Sequence, residues 1–212
     1  MTRPLPTPRD HLLQRLTQGG GYLTGHEASA AGIPSMTLTR LLESGEIERP
    51  QRGVYRLTHT DALPSAPLEL LDLLEIQLRF PPARPCLVSA LHLHGLTTTR
   101  PAALQIAVPA NRRPPNPATP ALEVFFFSPK FYASGVTTLT VRGRTLTTYT
   151  VEKTLTDLLR FAPRFGRELY LEGLKNYLPN GDRPRLVAAA KAAGVWRELS
   201  RDLEVLGHDQ DH

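Results

Sequence analysis

Four groups of residues in this 212-residue chain have types and spacings that could do chemistry. Arg40, Arg49 and Arg52 follow the hydroxyls of Ser35, Thr37 and Thr39, and such a set can grip the phosphates and base edges of a duplex. Glu152, Lys153 and Asp157 could hold a divalent ion for phosphodiester cleavage. His92 and His94 could ligate a metal, and Phe125-Phe126-Phe127 could stack single-stranded bases.

Spacing separates these possibilities. A restriction-type nuclease needs a carboxylate and a later Glu-x-Lys, whereas Glu152 and Lys153 are adjacent and face different ways on a helix, and Glu172 and Lys175 are separated by two residues rather than one. The better reading makes Glu152 a first-turn carboxylate at the positive end of the helix dipole and Lys153–Asp157 a surface i,i+4 pair. On a helix His92 and His94 lie about 200° apart and cannot share an ion. One of them is expected to hydrogen-bond near the core and the other to be exposed. The three phenylalanines read as a core strand. Walker, G-x-G-x-x-G and G-x-S-x-G patterns are absent. The expectation is no catalytic residue, no metal and no cofactor, with a nucleic-acid-processing enzyme as the least favoured reading.

The arginines sit on a recognisable succession of elements. Asp10 is placed to cap a helix carrying Leu12, Leu13 and Leu16, which stops at Gly19-Gly20-Gly21. Thr24 with Glu27 forms a capping-box pattern for a second helix over Gly25 to Ala31. Ser35 is placed to cap a third helix from Met36 to Ser44, ended by Gly45. Glu46 to Arg49 and Val54 to Leu57 read as short strands around the turn Pro50-Gln51-Arg52-Gly53. This order is that of a winged helix-turn-helix. On the third helix Leu38, Leu41 and Leu42 share one face and Arg40 points away, flanked by Met36, Thr37, Thr39 and Ser44. Ser35, Met36, Thr37, Thr39, Arg40, Arg49, Gln51 and Arg52 are therefore the candidate DNA contacts. A solvated Arg40–Glu43 pair and a structural role for the module are the competing readings. His26 and Tyr55 fit either contact or packing.

Composition agrees with a basic, staple-free protein. Net charge is +5, and the single cysteine, Cys86, makes neither an internal disulfide nor a zinc cluster, which points to the cytoplasm. No apolar run approaches the ~20 residues of a membrane span, and no secretory leader is expected. The positive charge is concentrated. Residues 1–60 carry a net of +2 and residues 111–150 a net of +4, while the remainder comes to −1. Arg112, Arg113, Lys130, Arg142 and Arg144 account for the middle concentration and form a candidate secondary basic surface.

The rest of the chain reads as α+β. A linker over Thr58 to Pro67 precedes a helix bearing Leu70, Leu71, Leu74 and Leu78, blocked by Pro81-Pro82. A short helix over Val88 to His94, strands at 105–108 and 122–127, and a hairpin around Arg142-Gly143-Arg144 follow. Thr150 can cap a helix through Phe161, with further helices near 167–177, 183–193 and 195–206. Pro109–Ala121 is too rich in proline for regular structure. The expected division is a winged helix-turn-helix at 1–60, then a mixed α+β domain with a small central sheet and C-terminal helices at 61–212.

The run GHEASAAGIPSMTLTRLLESGEIERPQRGVYRL resembles the N-terminal winged domain of the AbiEi antitoxin family, in which a Gly-Ile turn leads into the recognition helix. CLVSALHLHGLTTTRPAALQIAVP and TYTVEKTLTDLLRF resemble segments of that family's second domain, so the likeness spans roughly residues 10–178. The Pro-rich insertion at Pro109–Ala121 departs from the pattern. The resemblance implies a repressor of its own operon that binds an inverted-repeat operator in double-stranded DNA. It also implies a partner toxin of nucleotidyltransferase type; the expectation of no membrane partner rests on the lack of a long apolar run. The alternatives are an interaction module whose main ligand is the toxin, and a stand-alone transcription factor.

Overall fold

The computed structural model describes residues 7–114 and 120–208, with side chains through Leu206. In chain order the elements are α1 (Pro8–Gln18), β1 (Tyr22–Thr24), α2 (Gly25–Ala30), α3 (Ser35–Glu43), β2 (Ile47–Gln51), β3 (Val54–Leu57) and α4 (Leu68–Arg79). There follow β4 (Arg84–Pro85), α5 (Leu87–Leu93), β5 (Leu104–Pro109), β6 (Leu122–Phe127), α6 (Pro129–Ala133), β7 (Val136–Val141) and β8 (Arg144–Tyr149). The chain ends with α7 (Val151–Arg160), α8 (Ala162–Phe165), α9 (Glu168–Tyr177), α10 (Arg183–Ala193) and α11 (Trp196–His208). The mixture of small sheets and helices is α+β. Two compact units emerge: residues to Pro81 together with Leu139–Leu146, and Pro82–Thr138 with the chain from Thr147 onward.

In the first unit, local capping starts the helices. Thr7, not Asp10, caps α1; its hydroxyl accepts from the Asp10 amide while the Asp10 carboxylate returns to the Thr7 amide. The Thr24–Glu27 box opens α2 as expected. At α3 the cap position falls on Pro34, and Ser35 is the first helical residue, so its hydroxyl caps nothing. Gly45, at φ +73°, takes the left-handed turn that ends α3. The short strand β1, unforeseen because it is three residues long, completes an antiparallel sheet in the order β1-β3-β2. Leu12, Leu16, Leu23, Ala28, Ile33, Leu38, Leu41 and Ile47 form the core beneath it.

α4 lies against β2 and β3 and carries a carboxylate into this unit. Glu75, 3% exposed, accepts the Tyr22 hydroxyl at 2.9 Å and the Arg56 guanidinium, which also meets Glu48 at 2.8 Å. Burial raises the Glu75 carboxyl, and Arg56 and Tyr22 partly offset this. Burial beside Glu75 pushes the Tyr22 phenol up to about 12.

The outer part of the β7–β8 hairpin belongs to the same unit. Gly20, at φ +65°, admits it closely: a Cβ there would lie 1.9 Å from the Arg142 carbonyl oxygen. Arg144 then donates to the carbonyls of Gly19 (2.9 Å) and Tyr22 (2.7 Å) and to both oxygens of Glu27 (2.7 and 3.1 Å). Burial alone pushes the Glu27 carboxyl up, but the Arg144 and Thr24 hydrogen bonds carry it below its ordinary value.

The second unit holds the sheet β4-β5-β6, in which β5 and β6 are parallel from Leu104↔Leu122 to Pro109↔Phe127. Parallel neighbours require the chain to travel back the length of the strand before pairing. The Pro-rich stretch 110–121 supplies that return; its residues 115–119 lie outside the described residues. The short helices α6 and α8, each five residues or fewer, were not foreseen. Helices α5, α7, α9, α10 and α11 bury Leu91, Leu155, Leu158, Tyr170, Leu174, Leu186 and Leu199 with Phe125, Phe127 and Tyr149. Thr150 caps α7 as expected, accepting from the Lys153 amide.

Two expectations for this unit are overturned. Lys153 and Asp157 are not a surface pair; they are 6% and 2% exposed and bonded to each other, because α7 is enclosed on nearly every side. The Lys153 ammonium also lies 4.8 Å from the Tyr149 ring centroid and 4.9 Å from that of Phe127. Burial pushes the Asp157 carboxyl up and the Lys153 ammonium down, each opposed by its partner. Neither histidine is free: His92 Nδ1 lies 3.2 Å from the Thr97 carbonyl oxygen and His94 Nε2 2.7 Å from that of Tyr149. Glu152 sits in the first turn of α7, where it accepts the Tyr177 hydroxyl at 2.9 Å. The phenylalanine strand alternates, burying Phe125 and Phe127 and leaving Phe126 57% exposed.

Three measurements check this account. Arg144→Ala removes a clamp on two carbonyls and Glu27 and should cost about 2 kcal/mol in urea unfolding. Asp157→Ala strands a buried ammonium and should cost about 3–5 kcal/mol, whereas joint Asp157→Leu and Lys153→Met should recover most of it. His94 has its pKa lowered by burial, against the hydrogen bond to Tyr149. The unfolded chain therefore binds the extra proton first. The His94 contribution to stability is complete above its unfolded value and falls as pH drops through the folded one. Stability measured from about pH 7.5 down to about pH 5 should fall less steeply in His94→Gln.

Candidate nucleic-acid interface

The first unit offers the α3 outer face and the β2–β3 turn. Ile33, 6% exposed, anchors the turn between α2 and α3 in the core. Leu38 and Leu41, 7% and 3% exposed, seat the inner face of α3 as the periodicity requires. The other face is left to solvent: Ser35, Met36 (59% exposed), Thr39, Arg40 and Glu43 are exposed, and Thr37 is half-buried. Thr39 donates back to the Ser35 carbonyl at 3.3 Å, a bond weak enough to be exchanged for an external acceptor.

The hairpin turn is shaped by an irregularity. The β2–β3 register shifts between Glu48 and Gln51, so Ile47 and Gln51 both point inward while Arg49 is exposed. Arg52 and Gly53 form the turn itself, with Arg52 exposed. Gln51 leaves the candidate set. It is 5% exposed, and its Oε1 accepts from Arg79 of α4 at 3.1 Å, which braces the turn from beneath.

Pairing sorts the arginines of this unit. Its ion pairs engage Arg9 with Glu46 and Asp10, Arg56 with Glu48 and Glu75, and Arg144 with Glu27. Among the described residues no such pair engages Arg40, Arg49 or Arg52, and the Arg40–Glu43 pair that spacing permits does not form. Three guanidinium groups thus keep their forked donors for an outside oxygen. Tyr55 packs against the core and His26 is exposed.

The secondary basic set is likewise divided. Arg144 is not a surface cation, because its guanidinium is spent on Glu27 and two backbone carbonyls. Arg142 is half-buried and donates to the Pro64 carbonyl at 3.0 Å. Arg112, Arg113 and Lys130, all in the second unit, are exposed. The supporting contacts Arg79–Gln51 and Arg144–Glu27 span 28 and 117 residues, beyond the reach of any local pattern. Among the described residues no three His, Cys, Asp or Glu side chains stand together as a metal site requires, and no helix is long and apolar enough to cross a membrane.

No curated protein matches the chain. Residues 11–58, from α1 to just past β3, match a family described as AbiEi_4, transcriptional regulator, AbiEi antitoxin; the stretch carrying the exposed helix and the basic turn is therefore the part similar to these antitoxin regulators.

Proposed function

We propose that the protein is a cytoplasmic DNA-binding repressor of antitoxin type, acting on its own operon. In this reading the first 60 residues form a winged helix-turn-helix, with α3 in the major groove of an inverted-repeat operator. Ser35, Met36, Thr37, Thr39 and Arg40 meet base edges and nearby phosphates. Arg49 and Arg52 meet the backbone beside it and add affinity without sequence choice. The observation that carries the reading is the set of unpaired, exposed arginines on and after a helix whose polar face is left to solvent. Its coincidence with the stretch similar to transcriptional regulators supports it. The mixed domain after residue 60 supplies the antitoxic action, and no step of the reading is catalytic.

The antitoxin description of the matched family favours a second partner, a nucleotidyltransferase-type toxin. Co-purification with the neighbouring gene product, unaffected by changes at Arg40 and Arg52, would show that partnership to be separate from DNA.

A gel-shift titration on the upstream DNA tests the main reading. Arg40→Ala with Arg52→Ala should weaken binding by about tenfold to a hundredfold. Arg52→Ala alone should lower the slope of log affinity against log salt by about one. Unchanged affinity in the double variant rejects the assignment.

A further inference from the structure

The second unit contains a cleft that the DNA reading does not use. Strand alternation turns Phe126 outward, 57% exposed, at the end of β6. Ser128 and Phe131 of the following α6 segment, with Asp157 and Arg160 of α7, close the other sides around about 370 Å³. The Arg160 guanidinium carbon stands 3.7 Å from the Phe131 ring centroid, which holds its plane against the aromatic wall. The ion pairs of this unit join Lys153 to Asp157, Arg164 to Glu123, Arg167 to Asp202 and Arg185 to Asp182. Among the described residues none takes Arg160, which is exposed. At the wall, Asp157 is bonded through Oδ2 to Lys153, and that bond keeps an acceptor-only carboxylate fixed beside the cavity.

We propose that this cleft binds a nucleotide. Exposed Phe126 offers a ring face for base stacking, Asp157 accepts an N–H or amino group from the base edge, and Arg160 holds the phosphate. The combination selects against other ligands. A fatty acid would offer no donor to the Asp157 oxygen that Lys153 leaves open, and an acidic peptide would set its own carboxylates against it. A nucleotide carries a planar ring, a donor edge and an anion in one molecule of fitting size. Guanine, with two adjacent donors on one edge, is the base that best suits a carboxylate. The nucleotide can be free or part of a single strand.

The test uses the full chain and calorimetric titration with guanosine monophosphate, guanosine and a single-stranded RNA heptamer containing one guanine. Phe126→Ala should weaken binding roughly tenfold. Arg160→Ala should remove the advantage of guanosine monophosphate over guanosine. Both side chains are exposed, so both variants should keep the parent circular dichroism and unfolding curve. Binding of the mononucleotide identifies a free ligand, and binding of the heptamer alone identifies a nucleotide within a strand; either result, weakened by both substitutions, supports the cleft. Absence of binding to either probe, or affinity unchanged in both variants, overturns it. The outcome is independent of the duplex-binding reading, which rests on residues of the first unit.

Discussion

A carboxylate withdrawn from water has to be met by a cation or by donors, or the fold bears its desolvation. Each unit is organised around one such group. In the first, Glu75 of α4 is met by Arg56 of β3 and the hydroxyl of Tyr22 of β1, on the sheet face opposite Leu23 and Ile47. In the second, Asp157 of the enclosed helix α7 is met by Lys153 one turn earlier, itself ringed by Phe127, Phe131 and Tyr149. Geometry follows from these pairings. Glu75 fixes where α4 crosses the sheet, and Asp157 fixes the rotation of α7 within its core.

Pairing also determines which cations are available. Seven basic residues lie in residues 1–60, yet they are not equivalent. Arg56 is consumed by Glu75 and Glu48, and Arg9 by Glu46. Among the described residues no ion pair engages Arg40, Arg49 or Arg52, which keep their donors. The same sorting works in the middle of the chain, where Arg144 is a clamp and Arg112 and Arg113 stand in water. A tally of positive charge measures neither group. The difference lies in whether an acid brought close by folding occupies the guanidinium, and that is what separates a structural arginine from one whose donors stay open.

Much of the fold was legible because its signals are local. The Thr24–Glu27 box, the Leu38-Leu41-Leu42 face of α3, the Gly45 stop and the Thr150 cap each depend on residues within a turn or two, and each is found. Errors of one to three residues arose where neighbouring caps compete: Thr7 displaced Asp10, and Pro34 displaced Ser35, since the residue that leaves helical geometry is settled by the chain entering it. The three-residue β1 and the short helices α6 and α8, which have no marked turn beside them like that between β2 and β3, carry too little pattern to be read.

By itself the sequence determined the succession of three helices and a hairpin in the first 60 residues, though not β1, together with the α+β class, the outward face of α3 and the exposed arginines on and after it. These follow from periodicity, caps and turn residues acting over a few positions. Tertiary structure alone decided that Gln51 turns inward against Arg79, that Arg144 serves Glu27, that Lys153 and Asp157 are buried, and that Phe126 opens a cleft beside Arg160. Each of these depends on a partner brought close by folding, or on which side of an element the rest of the chain covers, and neither is written in local spacing.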